Sequence, residues 1–191
     1  MNEPMRRTRV TRRAVAIAVA LAALAGTAEA TMLKVGDPFP SWKLPDHTGK
    51  TVASSDLAGK TYLLWYYPKA MTPGCTLEGQ RLRDRNDELT QLGLTILGVS
   101  FDEQETNAEF VKQEGFPFAL LSDHDATLAT QVGAASARLQ PVPRRVSYLV
   151  GPEGKVIKVY EDVDPASHAA EVARDLRDVA AAKEKAKAAT E

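Results

Sequence analysis

The chain has 191 residues, of which 44% are apolar and 26% charged, a balance that suits one folded domain with room for a real core. Its 24 basic and 25 acidic side chains leave a formal net charge of −1. No charge surplus marks a nucleic-acid or anionic-membrane partner.

The first segment stands apart from the rest. Arg6, Arg7, Arg9, Arg12 and Arg13 make it basic, residues 14–26 form an uncharged apolar run, and Ala28-Glu29-Ala30 sets small residues two apart. This is the layout of a cleavable export signal, so residues 1–30 are read as a signal peptide cut after Ala30. The run falls short of the ~20 residues a helix needs to cross a hydrocarbon core, so no lasting membrane insertion is expected. Arg12-Arg13 leaves a twin-arginine route open beside the general one. Cleavage would leave 19 basic and 23 acidic side chains, a net charge of −4. The expected destination is an oxidising compartment, the bacterial periplasm.

Residues 31–35 read as a short linker. Residues 36–59 are rich in turn formers (Asp37-Pro38, Pro45-Asp46, Thr48-Gly49) with Trp42 and Leu44 between them, which predicts an N-terminal hairpin. Thr61 to Tyr67 is a continuous apolar and aromatic run ended by Pro68, the pattern of a buried central strand. A loop to Gly74 follows. From Cys75, Leu77, Leu82, Leu89 and Leu92 stand among charged residues until Gly93, which predicts one helix.

Leu94 to Phe101 reads as a second strand. A helix capped by Asp102 and ended at Gly115 comes next. Phe118 to Leu121 predicts a strand, and Asp125 to Val132 a short helix. Arg145 to Val150 and Val156 to Tyr160 predict a strand pair joined by the turn at residues 151–154. A last helix opens at Asp164-Pro165 and runs to about Ala181, and residues 183–191 read as a tail that frays. Strands alternating with helices predict an α/β domain over residues 36–182, a central mixed sheet flanked by helices on both faces with an N-terminal β-hairpin extension.

The chain holds one cysteine. Exported domains usually have none or pair them, so Cys75 asks for a use. It falls where a strand has ended and a helix begins, where unpaired N–H groups and the positive end of the helix dipole favour a thiolate. Gly74 allows close approach, Pro73 stiffens the turn, and the Thr72 hydroxyl can donate and accept. Pro68 opens the loop without a donor and can wall off water.

Residues 68–75, Pro-Lys-Ala-Met-Thr-Pro-Gly-Cys, resemble the active-site motif of the peroxiredoxin family, and the wider segment from Tyr67 to Thr76 is similar to its bacterioferritin-comigratory, or PrxQ, branch. The segments at residues 35–40 and 145–150 extend the resemblance, in order, over most of the chain. It implies a thioredoxin-like fold and a peroxidase that reduces hydroperoxides. On the matching positions, Cys75 would be the peroxidatic nucleophile, Thr72 would bind the peroxide, and Pro68 would shield the sulfur. Arg145 would favour the thiolate and polarise the O–O bond. Charge alone makes Arg144 an equal candidate, and strand alternation puts the two on opposite faces; the resemblance selects Arg145. Glu78, one helical turn after Cys75, is expected on a solvated face.

The chain departs from the branch at one place. Many members carry a resolving cysteine five positions after the first, and here that position is Gln80. With no second cysteine an internal disulfide is excluded, so a thioredoxin-like protein or small thiol from outside must resolve the sulfenic acid. Dithiol exchange is excluded for the same reason. A non-enzymatic peroxide sensor is the alternative reading. No cofactor or metal is expected. His47, His124 and His168 lack ligand spacing and are read as surface residues, and Asp123-His124-Asp125 as a helix cap. The branch implies a monomer or weak homodimer.

Overall fold

The computed structural model describes residues 31–136, 140–161 and 163–189. The expected signal peptide, residues 1–30, lies outside them. Two short strands, β1 (Lys43–Pro45) and β2 (Thr51–Ala53), pair antiparallel. Then follow β3 (Thr61–Tyr66), α1 (Pro73–Asp84), α2 (Asn86–Gln91), β4 (Leu94–Ser100), α3 (Gln104–Glu114), β5 (Ala119–Ser122) and α4 (Thr127–Val132). The chain closes with β6 (Val146–Val150), β7 (Val156–Glu161) and α5 (His168–Ala188). The main sheet has the order β5-β4-β3-β6-β7. β4 runs parallel to β3 and β5, while β6 is antiparallel to β3 and β7. This is the expected mixed sheet, with the aromatic run at its centre.

Alternation along β3 builds two cores. Leu64 and Tyr66 face one with Val99, Tyr148 and Leu128, and Leu63 and Trp65 face the other with Leu82, Phe110, Leu149 and Val172. A buried strand with both faces covered needs no polar positions, which is why β3 reads as an unbroken apolar run. The β1–β2 hairpin is tied to the far edge by the His47 N–H bond to the Leu120 carbonyl, 2.8 Å.

Several boundaries differ from expectation for local reasons. The helix predicted from Cys75 to Leu92 is two helices, broken at Arg85, whose ψ of 6° leaves the helical range; the Asn86-Asp87 pair that follows favours a fresh helix start. Helix α1 begins at Pro73, which needs no N–H donor there. Glu103, not Asp102, precedes α3, because the Asp102 carboxylate accepts the Ala70 N–H instead, at 2.8 Å. Gly115 ends α3 in the left-handed region, φ 65°, as a helix-stopping glycine does. Helix α5 runs on to Ala188, through most of the segment read as a frayed tail; Ala, Lys and Glu are strong helix formers without packing. Nor are residues 31–35 a free spacer, for Met32 and Leu33 pack against the first core.

Candidate active site

β3 stops at Tyr66, and the chain crosses the sheet's end to start α1. The register Tyr66↔Val146 sets Arg145 beside that crossing. Between them, residues 67–72 form a tight loop. Met71 sits in the left-handed region at φ 59°, a strained setting for a residue with a side chain. The Asp102 bond to Ala70 anchors the loop from β4's end. The Thr72 hydroxyl donates to the Lys69 carbonyl at 2.8 Å, and Thr72 is the residue from which α1 departs.

Cys75 is the third residue of α1 and its thiol is free. Its side chain is fully buried against the core that holds Trp65, Tyr67 and Leu149. Arg145 donates from Nη2 to Cys75 Sγ at 3.3 Å, and from Nη1 to the Glu78 carboxylate. The guanidinium thus aims one fixed donor at the sulfur and another at the carboxylate, a forked geometry that only arginine supplies. Burial works against the Arg145 cation, but Glu78 and the Cys75 sulfur outweigh it and hold the guanidinium above its ordinary range. A Cβ on Gly74 would come within 3.1 Å of Arg145 Nη2, so glycine there leaves room for the guanidinium.

Of the residues singled out in the sequence, Cys75 and Arg145 are thus in direct contact. Thr72 and Pro68 lie on the loop before them, each partly exposed. Arg144 is on the exposed side, as alternation requires. Two expectations are overturned. Glu78, read as solvated, has no exposed surface, and neither has His168, read as a surface histidine. His168 Nδ1 lies 2.8 Å from Glu78 Oε1. Helical spacing could have found Glu78, since a residue three after Cys75 shares its face. Nothing local could have found His168, which reaches the site only because α5 packs on α1. His47 is half-buried and His124 exposed. Asp123 caps α4 as expected, accepting the Leu128 and Ala129 N–H groups. Among the described residues no cluster of metal-ligating side chains occurs.

The Arg145 side chain is 22% exposed. Arg145 also lines an open cavity of about 560 Å³ with Met32, Arg144, Val146, Glu161 and Val163. Gln80, where a second cysteine would stand, bonds the Glu114 carboxylate at 2.8 Å and ties α1 to α3.

A lone cysteine in the first turn of the helix after the central strand, bonded to the arginine just before β6, defines a one-cysteine peroxiredoxin on a thioredoxin-like sheet. Residues 35–159 match the AhpC/TSA family. The chain belongs to that family, on its bacterioferritin-comigratory branch. It is 38% identical over 141 residues to peroxiredoxin Bcp of Escherichia coli (strain K12), covering 71% of this chain and 90% of that one. Against peroxiredoxin Bcp of Bacillus subtilis (strain 168) it is 34% identical, over 77% of this chain and 97% of the other. The crystal structure of peroxidoxin BcpB from Mycobacterium tuberculosis superposes with a TM-score of 0.73 at 31% identity, covering 78% of this chain and 99% of that one. A Xanthomonas campestris bacterioferritin comigratory protein, studied for alkyl peroxide reduction, superposes with a TM-score of 0.68 at 30% identity, over 73% and 92% of the two chains.

Proposed function

We propose that the protein is a thiol peroxidase that reduces hydrogen peroxide and organic hydroperoxides through Cys75. The observation that carries this reading is the Arg145 bond to Cys75 Sγ. The Cys75 thiolate attacks one peroxide oxygen, the S–O bond forms as the O–O bond breaks, and the other oxygen leaves as water or alcohol after taking a proton. Arg145 supports charge on the sulfur and then on the departing oxygen. Thr72, its hydroxyl donating to the Lys69 carbonyl, offers its oxygen as acceptor to the peroxide O–H and helps line up the bond. Pro68 closes the loop side against water.

Cys75 is then a sulfenic acid. With no second cysteine in the sequence, an outside thiol condenses with it, water leaves, and a second thiol releases the mixed disulfide. The thiol is a thioredoxin-like protein or a small thiol, and the enzyme works as a monomer or weak dimer. Steady-state turnover tests this: with a dithiol supplied, many equivalents of peroxide are consumed per protein, and Cys75→Ser consumes none. A single-equivalent burst would mean a sensor instead.

Export to the periplasm belongs to the same proposal, supported by the basic, apolar and small-residue order of residues 1–30. Mass spectrometry of the protein from its native cell tests it, with an N-terminus at Thr31 expected. An intact first thirty residues would contradict it.

A further inference from the structure

Cys75, Arg145, Glu78 and His168 form a continuous chain of contacts. Arg145 reaches the sulfur with one nitrogen and Glu78 Oε2 with another. His168 Nδ1 approaches Glu78 Oε1 at 2.8 Å. Glu78 and His168 are both without exposed surface. The four come from three separate places in the fold: α1, the residue before β6, and the first residue of α5.

We propose that His168 is a positioning residue for the peroxidase site, acting on Cys75 through Glu78 and Arg145. A buried carboxylate with one oxygen held can still turn about its last torsion, and that torsion is broad. With both oxygens held it presents Oε2 in one direction only. The 2.8 Å approach is off the line of a regular hydrogen bond, since neither Glu78 Oε1 nor His168 Nδ1 has one. Neither atom has another polar partner, so the imidazole packed at 2.8 Å fills the space into which Oε1 would turn. The His168 ring packs against Tyr160, ring centroids 5.2 Å apart, and its backbone N–H donates to the Asp164 carbonyl at 3.1 Å. A side chain so fixed can transmit position, and an arginine displaced by a fraction of an ångström loses the sulfur.

This rests on the reading of Cys75 and Arg145 above. The test is a double-substitution cycle read by the second-order rate of Cys75 oxidation with hydrogen peroxide, with thermal melting in parallel. His168→Asn and His168→Leu are each expected to slow oxidation about tenfold, the loss of one interaction with a charged group. Added to Glu78→Ala, the same substitutions should change the rate less than about twofold while still lowering the melting point. Unchanged rates in a folded His168 variant, or the same full loss with Glu78 already gone, would overturn the proposal. If the His168→Leu variant does not fold, His168→Asn, with its smaller and polar side chain, decides. A rate indifferent to Arg145→Met would instead remove the underlying reading.

Discussion

Arg145 Nη2 stands 3.3 Å from Cys75 Sγ across seventy positions of sequence. The contact exists because β6 returns antiparallel beside β3, with Val146 opposite Tyr66, so the residue before β6 meets the chain leaving β3 for α1. A long-range pairing in the sheet thereby places a permanent cation on a buried sulfur. Arg145→Met is expected to slow Cys75 oxidation by hydrogen peroxide about a hundredfold, the usual loss when one preorganised donor is removed. Arg145→Lys should recover little, because an ammonium cannot fork to both Glu78 and the sulfur. Stopped-flow rates check both, and a wild-type rate in Arg145→Met contradicts the assignment.

Thr72 separates loop geometry from chemistry. Its hydroxyl is the donor to Lys69, and that bond fixes the direction in which the oxygen's lone pairs point. Thr72→Ser keeps the group and should stay within about twofold of the parent rate. Thr72→Val removes one hydrogen bond and its acceptor, and about tenfold is expected. Equal rates in the two variants would show that the hydroxyl does not touch the peroxide.

Gly79 lets α1 lie against the aromatic layer beneath it. A Cβ there would come within 2.5 Å of Phe116 Cζ and 3.1 Å of Trp65 Cη2. Both rings are buried, so neither gives way cheaply. Gly79→Ala is expected to cost about 1–3 kcal/mol in urea unfolding, as overpacking does. Because α1 carries Cys75 and Glu78, the oxidation rate should fall with it. An unchanged midpoint would mean that the helix can lift without loss.

What could be read from the sequence was whatever local pattern governs. The apolar run of β3, the proline-threonine-cysteine loop and the glycine stop at Gly115 each follow from neighbours within a few residues, and the structure keeps them. Asp102 misled because its carboxylate serves a distant amide, Ala70, rather than its own helix. Glu78 and His168 misled for a related reason. Glutamate is solvated as a rule and histidine is intermediate, and only the meeting of α1, the start of the β6 return and α5 buries them together. The site's second layer is tertiary, so no spacing along the chain announces it.

The N-terminal hairpin makes its own prediction through Asp46. Burial pushes its carboxyl up, but the Thr48 hydroxyl and the Thr48 and Lys50 N–H groups, at 2.6, 2.8 and 3.0 Å, overcome that and hold it below the ordinary value. A carboxyl depressed in the folded state adds stability that is present above its unfolded pKa, about 3.9. That stability is lost as pH falls through the lower folded value. Asp46→Asn should therefore be less stable at neutral pH and lose less on acidification below about pH 4. Parallel stability curves for the two proteins would contradict the role of these bonds.

Peroxidase chemistry at this site requires the buried Cys75 sulfur to be the group peroxide meets. Mass spectrometry of the protein after one equivalent of hydrogen peroxide, with a sulfenic-acid trap present, measures it directly. One equivalent of trap is expected on the peptide that contains Cys75, complete before any methionine is oxidised. A Cys75 peptide left unmodified while peroxide disappears would contradict it.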